Sequence, residues 1–478
     1  MIRLLHRTLA FLAGSMLVFT SMADELPRAE PEDVGLSAER MARFSTAINK
    51  GVAAGHFPGV VAAVARKGKI AFFESYGYRD REAGDEMTDD AIFRIASMTK
   101  AVTGVAVMIL YEEGHFTLND PVSKFIPSFK DMRVLANSKS SGKKGDGKKS
   151  DNKKDWSQEE LDKWLKENWD TLSEEEQAEW VAYYSGKSVG KDTGQGKGGK
   201  TEEQPERETV AADRPITIRD LLRHTSGFSY APGNIWSPGD DLENLIDNLA
   251  AQPLAAQPGT NFMYGLSTDV AARLVEVVSG QSFDEFIKER IFDPLDMKDT
   301  GYWVQEENAE RLVAMPEEAP SDKKGSSAAT YLKPPVIIMG GTGLVSTTRD
   351  YLRFVQMLLN NGELDGARIL GRKTVELMHA DHMGDVANKS SGSKTGDKNF
   401  QFGLTFGIDG NPGDSGEIGS VGTYWWGGAY GTTFWIDPKE NLVGVFMVNG
   451  FDDDIQYEGI GMNYAQMLKH YTYQAIID

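Results

Sequence analysis

Residues 91–100 read AIFRIASMTK and join a strand-like apolar run to a helix-like apolar run that extends from Ala101 to Tyr111. Ser97 and Lys100 are three positions apart at the predicted helix start, so Lys100 reaches back toward the Ser97 hydroxyl. A serine hydroxyl needs a nearby base to act as a nucleophile. The free N–H groups of a first helical turn also favour negative charge beside it. The stretch therefore predicts an activated serine; a helix N-cap at Ser97 with a solvated Lys100 is the structural alternative.

Composition limits the classes of function. The chain has 478 residues, enough for one large domain or two. Its formal net charge of −20 disfavours nucleic acid as a partner. The absence of cysteine excludes disulfides, a thiol nucleophile and thiolate metal sites. We expect neither a metal nor a cofactor.

Residues 1–23 have the pattern of a secretory signal peptide. Arg3 and Arg7 precede an apolar stretch from Leu9 to about Phe19, and small residues end at Ala23. The apolar stretch is shorter than the ~20 residues that a membrane span needs. We therefore expect cleavage after Ala23, a periplasmic or secreted protein, and no stable membrane span. An uncleaved membrane anchor is the alternative.

Strand-like runs occur near both ends of the chain. Gly59–Ala65 and Lys69–Glu74 form one pair, and Gly431–Ile436 and Leu442–Val448 flank a turn that contains Asp437-Pro438. The helical patterns at the two ends are Ser37–Gly55 and about Gly459–Tyr473. We predict an α+β sandwich, in which an antiparallel sheet built from both chain ends is flanked by helices and a mostly helical region is inserted between them.

Residues 137–212 interrupt this pattern with a charged, low-complexity insertion. The predicted domain therefore comprises residues 24–136 and 213–478. Within the insertion, residues 156–184 are rich in tryptophan and contain two capping-box spacings, which predict a small helical hairpin. Its partner is unknown from the sequence. The tryptophans favour docking on a partner as one hypothesis; packing back onto its own host domain, or a neutral surface insertion, is the simpler alternative.

Two further segments contain candidate site residues. Tyr264 precedes the helical run Val270–Val278; beside a cationic lysine its pKa would fall, so that it could accept the Ser97 proton. Trp426-Gly427-Gly428 leads into the C-terminal hairpin, where a backbone N–H could complete an oxyanion hole. The alternatives are a packed core tyrosine and a simple glycine bulge.

The order Ser-x-x-Lys, Tyr, Trp-Gly-Gly resembles that of the serine β-lactamase and penicillin-binding-protein superfamily. Within it, the chain is most similar to the class C β-lactamase-like branch and the family VIII carboxylesterases. The resemblance extends over nearly the whole chain outside the insertion and includes residues 215–227, 340–346 and 431–448. It implies the β-lactamase/transpeptidase-like fold.

The resemblance also implies roles for individual residues. Ser97 would be the acylated nucleophile, Lys100 its proton partner, and Tyr264 the base or relay. The oxyanion hole would be formed by the backbone N–H groups of Ser97 and Ala429. The residues expected to contact substrate are Trp426, Gly427, Gly428 and Leu266.

Two positions depart from the pattern of true β-lactamases. Trp426 stands where those enzymes have the lysine of the third motif, and Leu266 stands where the Tyr-x-Asn motif has its amide. A lysine there adds positive charge for a substrate carboxylate, whereas tryptophan offers an apolar wall. Both departures favour neutral, fairly apolar acyl esters over carboxylate-bearing β-lactams.

We therefore predict an exported serine hydrolase that cleaves small-molecule carboxylic esters, or amides, through an acyl-enzyme on Ser97. A weak β-lactamase or a D-amino-acid peptidase or esterase is the alternative within the enzymes. A peptidoglycan-binding or scaffold protein that reuses the fold is the non-enzyme alternative.

Other motifs are assigned structural roles. Gly413-Asp414-Ser415-Gly416 resembles a protease nucleophile loop but lies in a Gly/Pro-rich segment of a chain without cysteine. His379 and His382 form a His-x-x-His pair without an accompanying carboxylate motif, which favours a surface helix end over a metal site. His224 is interpreted as a residue that orients a loop near the cleft.

Overall fold

The computed structural model of the protein describes residues 25–136, 208–230, 235, 241–315, 331–384, 386, 401–450 and 463–478. The strands are β1 (Gly59–Arg66), β2 (Lys69–Asp80), β3 (Asp85–Glu86), β4 (Ile92–Arg94), β5 (Arg133–Leu135), β6 (Thr209–Ala211), β7 (Val345–Thr347), β8 (Glu363–Leu364), β9 (Ala367–Arg368), β10 (Gln401–Phe402), β11 (Gly407–Ile408), β12 (Tyr424–Gly427), β13 (Thr433–Asp437) and β14 (Leu442–Val448). The α-helices are α1 (Ala38–Ala54), α2 (Thr99–Glu112), α3 (Ile218–Leu222), α4 (Leu242–Ala250), α5 (Ser267–Ser279), α6 (Phe283–Ile287), α7 (Thr348–Leu359), α8 (Arg372–Met378), α9 (Pro412–Ser415) and α10 (Tyr464–Ala475).

The main sheet has eight strands in the order β10-β11-β12-β13-β14-β1-β2-β3, with antiparallel pairing throughout. The C-terminal strand β14 pairs with the N-terminal strand β1 from Val60↔Val448 to Arg66↔Leu442. The two chain ends therefore build one sheet, which confirms the α+β prediction. The predicted hairpin is also confirmed: β13 and β14 are joined by a turn in which Asp437 accepts the N–H groups of Lys439 and Glu440.

Each face of the sheet is covered by helices. Side chains alternate along a strand, so Val60 and Val64 join a core with α1 and α10, whereas Val61 and Ala65 join the larger core that contains α2, α5 and α7. All eight residues of β1 are buried, which a strand between two helical layers requires. α1 runs from its cap at Ser37, which accepts the Arg40 N–H, to the left-handed Gly55.

The segment before the predicted nucleophile is fixed by a short two-stranded pair. β4 pairs with β7, with Phe93 opposite Ser346, and Ala96 then adopts a φ of 43°. A positive φ is costly for a non-glycine residue and persists only where the surroundings impose it. One 3₁₀ turn, Ala96–Met98, leads into α2. Ser97 is thus held at the start of α2, which is buried on all sides from Thr99 to Leu110.

The ends of the insertion meet at one edge of the host domain. β5 pairs with β6, with Val134 opposite Val210, and the Ala136 N–H donates to the Glu208 carbonyl at 2.9 Å. β6, which the sequence places in the insertion 137–212, therefore completes a ladder with β5, and we infer that it belongs to the host fold. The predicted hairpin 156–184 and the predicted signal peptide 1–23 lie outside the described residues. Within the described ranges, no helix is long and apolar enough to cross a membrane.

A buried carboxylate anchors the segment that follows α3. Asp220 has no exposed surface; it accepts Arg214 Nη1 at 2.6 Å, Arg223 Nη2 at 3.0 Å and the Thr225 hydroxyl at 2.8 Å. It also closes a capping box with Thr217. Burial opposes the charge, but the hydrogen bonds from Arg214 and Thr217 outweigh it and lower the pKa of Asp220 to about 2.

Replacing residues 137–207 by Asn-Gly should leave the host fold intact. The Ala136–Glu208 hydrogen bond has the register of a two-residue hairpin, and Asn-Gly forms the type I′ turn that closes it. We expect the thermal midpoint, measured by circular dichroism, to change by only a few degrees. Deleting residues 137–212 is the matched control, and its loss of β6 should lower the midpoint clearly. Equal midpoints for the two deletions would contradict the assignment of β6 to the host fold.

Asp220→Asn should lower the free energy of unfolding by about 3 kcal/mol at neutral pH, because two arginines lose a buried carboxylate. A folded pKa of about 2, below the unfolded value of about 3.9, stabilises the fold above about pH 4 and ceases to do so as the pH falls toward 2. The difference between wild type and variant, measured by urea denaturation, should therefore shrink over that interval. Asp120→Asn, which removes the exposed ion pair with Lys124, is the control and should cost no more than about 1 kcal/mol. If the difference in the free energy of unfolding between wild type and Asp220→Asn stayed constant down to pH 2, the lowered pKa of Asp220 would be contradicted.

Candidate active site

Ser97 and Lys100 are brought together as their spacing predicts. Lys100 Nζ donates to Ser97 Oγ at 3.3 Å, to the Tyr230 hydroxyl at 3.0 Å and to the Gly341 carbonyl at 2.6 Å. An ammonium group has three N–H donors and no acceptor, so these three contacts match its charged form. Lys100 is 1% exposed, which excludes the alternative of a solvated lysine at a helix end.

The surroundings of Lys100 favour its positive charge. Burial alone would lower its pKa, but attraction from Tyr230, Tyr264 and Asp269 outweighs burial and raises the pKa. Tyr230 is affected in turn: although 47% of the residue is exposed, partial burial of its hydroxyl beside Lys100 raises its pKa to about 12 in spite of the nearby ammonium. At neutral pH, the site therefore presents a protonated lysine to Ser97 and to a neutral Tyr230.

Tyr264 lies between Lys100 and Trp426. Lys100 Nζ is 4.7 Å from the centre of the Tyr264 ring, in the geometry of a cation–π contact. Trp426 Nε1 donates to the Tyr264 hydroxyl at 3.2 Å, and the two ring centres are 5.4 Å apart. Trp426 therefore fixes the phenol with a neutral N–H donor.

His224 packs behind Tyr264 rather than facing Ser97. It is fully buried, and its ring centre lies 4.8 Å from that of Tyr264, 5.9 Å from Phe262 and 5.8 Å from Phe402. Burial and the charge of Lys100 lower its pKa well below the usual value, so the imidazole is neutral. This placement agrees with a structural role for His224.

The glycine pair brings the β12–β13 turn against the nucleophile segment. A Cβ at Gly428 would lie 2.4 Å from the Ile95 carbonyl oxygen and 2.3 Å from Thr432 Oγ1, so this position requires glycine. Ala429 follows and is exposed. Within the described ranges, the backbone N–H groups of Ser97 and Ala429 donate to no protein acceptor, which leaves both available for a substrate oxygen.

The remaining expected substrate contacts differ in exposure. Trp426 is partly exposed and packs edge-to-face on Phe402, with ring centres 5.2 Å apart. Gly427 is partly exposed as well. Leu266 immediately precedes α5 and makes no side-chain capping hydrogen bond; it is 4% exposed and belongs to the main core. It stays a prediction that substrate reaches the 266 position.

Three groups of the site were not identified from the sequence. Tyr230 and the Gly341 carbonyl both accept from Lys100, and Asp269 accepts the Gly341 N–H at 2.8 Å. The segments 215–227 and 340–346 were noted as part of the family resemblance, and Tyr230 follows the first of them by three residues. Asp269 is an acidic residue in the first turn of α5, a position that the helix dipole favours, so the sequence offered no signal specific to the site.

The other sequence motifs make structural contacts. Ser415 is exposed in α9, and its hydroxyl faces the Pro412 carbonyl. His379 stacks on Tyr424 at 4.6 Å, and His382 Nε2 contacts the Leu377 carbonyl at 2.8 Å. In the part of the chain that the structure describes, no group of three or more metal-ligating side chains occurs.

Comparison with known proteins identifies relatives along most of the chain. A family model described as Beta-lactamase matches residues 44–459. Protein Rv1367c from Mycobacterium tuberculosis is 30% identical over 418 residues, which cover 84% of this chain and 88% of that protein. Esterase EstB from Burkholderia gladioli is 23% identical over 456 residues, covering 89% of this chain and 93% of the esterase.

A solved structure shares the fold. The structure titled "EstCE1, a hydrolase with promiscuous acyltransferase activity" aligns with a TM-score of 0.65 over 91% of this chain and 99% of its own, at 21% sequence identity. The sheet built from both chain ends therefore belongs to the β-lactamase/transpeptidase-like architecture that the sequence predicted.

Tyr230→Phe should slow reaction at Ser97 about tenfold, because the buried ammonium loses one of its three acceptors and about 1.4 kcal/mol corresponds to a factor of ten. The rate of labelling by a fluorescent fluorophosphonate measures this directly. Tyr78→Phe changes an exposed tyrosine of β2 and is the matched control. Equal rates for wild type and both variants would show that the Tyr230 contact does not contribute to the reactivity of Ser97.

Proposed function

The chain belongs to the beta-lactamase family, and from that premise we propose that it is a serine hydrolase that cleaves neutral carboxylic esters through an acyl-enzyme on Ser97. Membership rests on a family match over most of the chain and on a relative that is 30% identical along 84% of it. The class C-like branch of this superfamily includes esterase relatives. The nature of the ester and the export of the protein go beyond that and are part of the proposal.

The hydrogen bond from Trp426 to Tyr264 is the observation that favours an uncharged substrate. At 3.2 Å, a neutral indole N–H holds the phenol in place of a cation. A substrate carboxylate would gain no charge-assisted hydrogen bond from this wall and would lose its hydration against aromatic rings. Tyr230 and Tyr264, whose ring centres are 5.6 Å apart, extend the same apolar lining. An uncharged acyl ester fits these surroundings better than a β-lactam carboxylate.

Acylation would use Lys100 and Tyr264 as a pair. The Ser97 oxygen attacks the ester carbonyl carbon, and Tyr264 acts as a relay: its oxygen takes the Ser97 proton as its own phenol proton moves to the alcohol oxygen of the ester, while the Lys100 ammonium stabilises the charge developing on Oγ. The tetrahedral oxyanion accepts the backbone N–H groups of Ser97 and Ala429. The C–O bond to the alcohol then breaks, and the protonated alcohol leaves.

Deacylation would repeat these steps with water. Tyr264 takes a proton from water as its own phenol proton passes to Ser97 Oγ, the hydroxyl adds to the acyl carbon, and the bond to Ser97 Oγ breaks. Because the protonated Lys100 already holds three acceptors, it serves as an electrostatic donor throughout. This division of roles leaves proton transfer to the phenol.

The description of one relative, esterase EstB, supports an ester substrate, and the solved structure is titled as a hydrolase with promiscuous acyltransferase activity, which agrees with an acyl-enzyme. We further propose that residues 1–23 direct export, because a basic start, an apolar stretch and small residues before Asp24 are typical of signal peptides.

Purified protein should hydrolyse short and medium p-nitrophenyl acyl esters much faster than a chromogenic cephalosporin at equal concentration. Ser97→Ala should abolish both the ester hydrolysis and the labelling by a fluorophosphonate. Ser415→Ala changes an exposed serine outside the site and should leave both unchanged.

Two results would reject the proposal in different ways. Rapid cephalosporin turnover with negligible ester cleavage would contradict the interpretation of Trp426 and favour a β-lactamase. A wild-type protein that takes no label, or a Ser97→Ala variant that labels as well as wild type, would remove Ser97 as the nucleophile and favour a binding or scaffold role.

A further inference from the structure

The backbone of a single residue, Gly341, links a buried carboxylate to the Lys100 ammonium. Asp269, in the first turn of α5, is 1% exposed, and its Oδ1 accepts the Gly341 N–H at 2.8 Å. The carbonyl of the same residue, Gly341, accepts Lys100 Nζ at 2.6 Å. Asp269 and Lys100 are therefore connected through the backbone of one residue.

The loop that carries Gly341 is held between two helices. From α2, the Thr103 hydroxyl donates to the Gly340 carbonyl at 2.6 Å. From α5, a Cβ at Gly340 would lie 2.3 Å from the Thr268 carbonyl oxygen, and one at Gly341 would lie 2.9 Å from Asp269 Oδ2. The direction of the Gly341 carbonyl thus depends on the contact with Asp269.

Most titratable groups around this link are neutral, so the charged pair consists of Lys100 and Asp269. Tyr230 faces Lys100 and Asp269 from the loop after α3, with its pKa at about 12. Tyr302 donates to the Met339 carbonyl, and burial first and the charge of Asp269 second raise its pKa well above the usual value. His224 is neutral, and Tyr264 contacts Lys100 through its ring.

Asp269 is the carboxylate whose charge acts on Lys100 in the part of the chain described. Its second oxygen, Oδ2, is buried without a hydrogen-bond partner there. Burial raises the pKa of Asp269 to about 6, although the Lys100 charge and the Gly341 N–H oppose that rise. The carboxylate is thus held in its charged form mainly by the neighbouring ammonium, and the dependence is mutual.

We propose that Asp269 is a positioning residue that acts through Lys100: it supplies the counter-charge that keeps the lysine protonated, and it aims the Gly341 carbonyl at the ammonium. The inference rests on the proposed function, since it assigns the control of Lys100 during reaction at Ser97. Trp426 brings no second cation into the cleft, so one buried negative charge balances one buried positive charge.

The proposal has a defined pH dependence. As the pH falls through about 6, Asp269 takes up a proton, Lys100 loses its counter-charge, and the reaction at Ser97 slows. Above that pH the pair is intact. At the alkaline end the wild-type pair keeps Lys100 charged to a higher pH than an isolated buried lysine would allow.

Asp269→Asn tests this with little change of shape. We expect kcat for a p-nitrophenyl ester to fall about tenfold or more with KM within about threefold, because the lost interaction acts on the reacting group rather than on substrate binding. The acid limb near pH 6 should disappear, and the alkaline limb should move to lower pH. The rate of fluorophosphonate labelling over the same pH range should show the same two changes for the acylation step alone.

Asp350→Asn is the matched control. Asp350 is likewise buried, accepts the Asp299 N–H at 2.8 Å and has a pKa raised by burial to about 6, but it lies on α7. This variant should keep the acid limb of the wild type. Thr103→Val loosens the same loop without changing a charge, and should lower the rate while the limb stays in place.

The outcomes separate this proposal from the proposed function. Ester hydrolysis that needs Ser97 but keeps its acid limb in Asp269→Asn overturns only the role of Asp269. Loss of that limb in Asp350→Asn as well would also overturn it. If Asp269→Asn does not fold, Asp269→Glu, which keeps the charge on a longer arm, should retain an acid limb at a reduced rate; an unchanged rate would contradict the positioning role.

Discussion

One buried positive charge determines how the parts of this site are arranged. The Lys100 ammonium has almost no contact with solvent, and a buried ion without hydrogen-bond partners costs several kcal/mol. Its acceptors come from three separate places: the turn before α2, the loop after α3 and the loop before β7. These segments must meet around one nitrogen atom. Asp220 holds the loop after α3 through its hydrogen bond with Thr225, and the positive φ of Ala96 shapes the turn before α2.

The sequence predicts the local parts of this arrangement and misses the distant ones. Ser97 and Lys100 lie three residues apart, so helical geometry alone places them together, and the alternation along β1 predicts a buried strand. The contacts of Lys100 with Tyr230 and Gly341, in contrast, span 130 and 241 residues, and no periodicity reports such distances. The sequence did not mark Asp269 as a site residue for another reason: the helix dipole alone accounts for an acidic residue in a first helical turn.

The site combines one strong charge with a neutral, aromatic lining. Tyr230 and Tyr264 place their rings around Lys100, and Trp426 packs on Tyr264; the counter-charge of Asp269 lies on the far side of Gly341. In such surroundings the effective dielectric constant is low, so a fixed charge acts more strongly on a developing negative charge than it would in water. The same surroundings make a second charge expensive to bury. Reactivity toward a carbonyl group and selectivity for uncharged substrates therefore have a common physical origin.

The β5–β6 ladder has a consequence for how this architecture can change over evolutionary time. Because Ala136 and Glu208 are joined by a hydrogen bond, the entropy of closing the segment between them is offset by the ladder and grows only with the logarithm of its length. Additions and deletions at this junction therefore leave the spacing of the catalytic residues unaltered. This junction is therefore a site that tolerates insertions and deletions, where evolution or protein engineering can exchange whole segments while the chemistry stays the same.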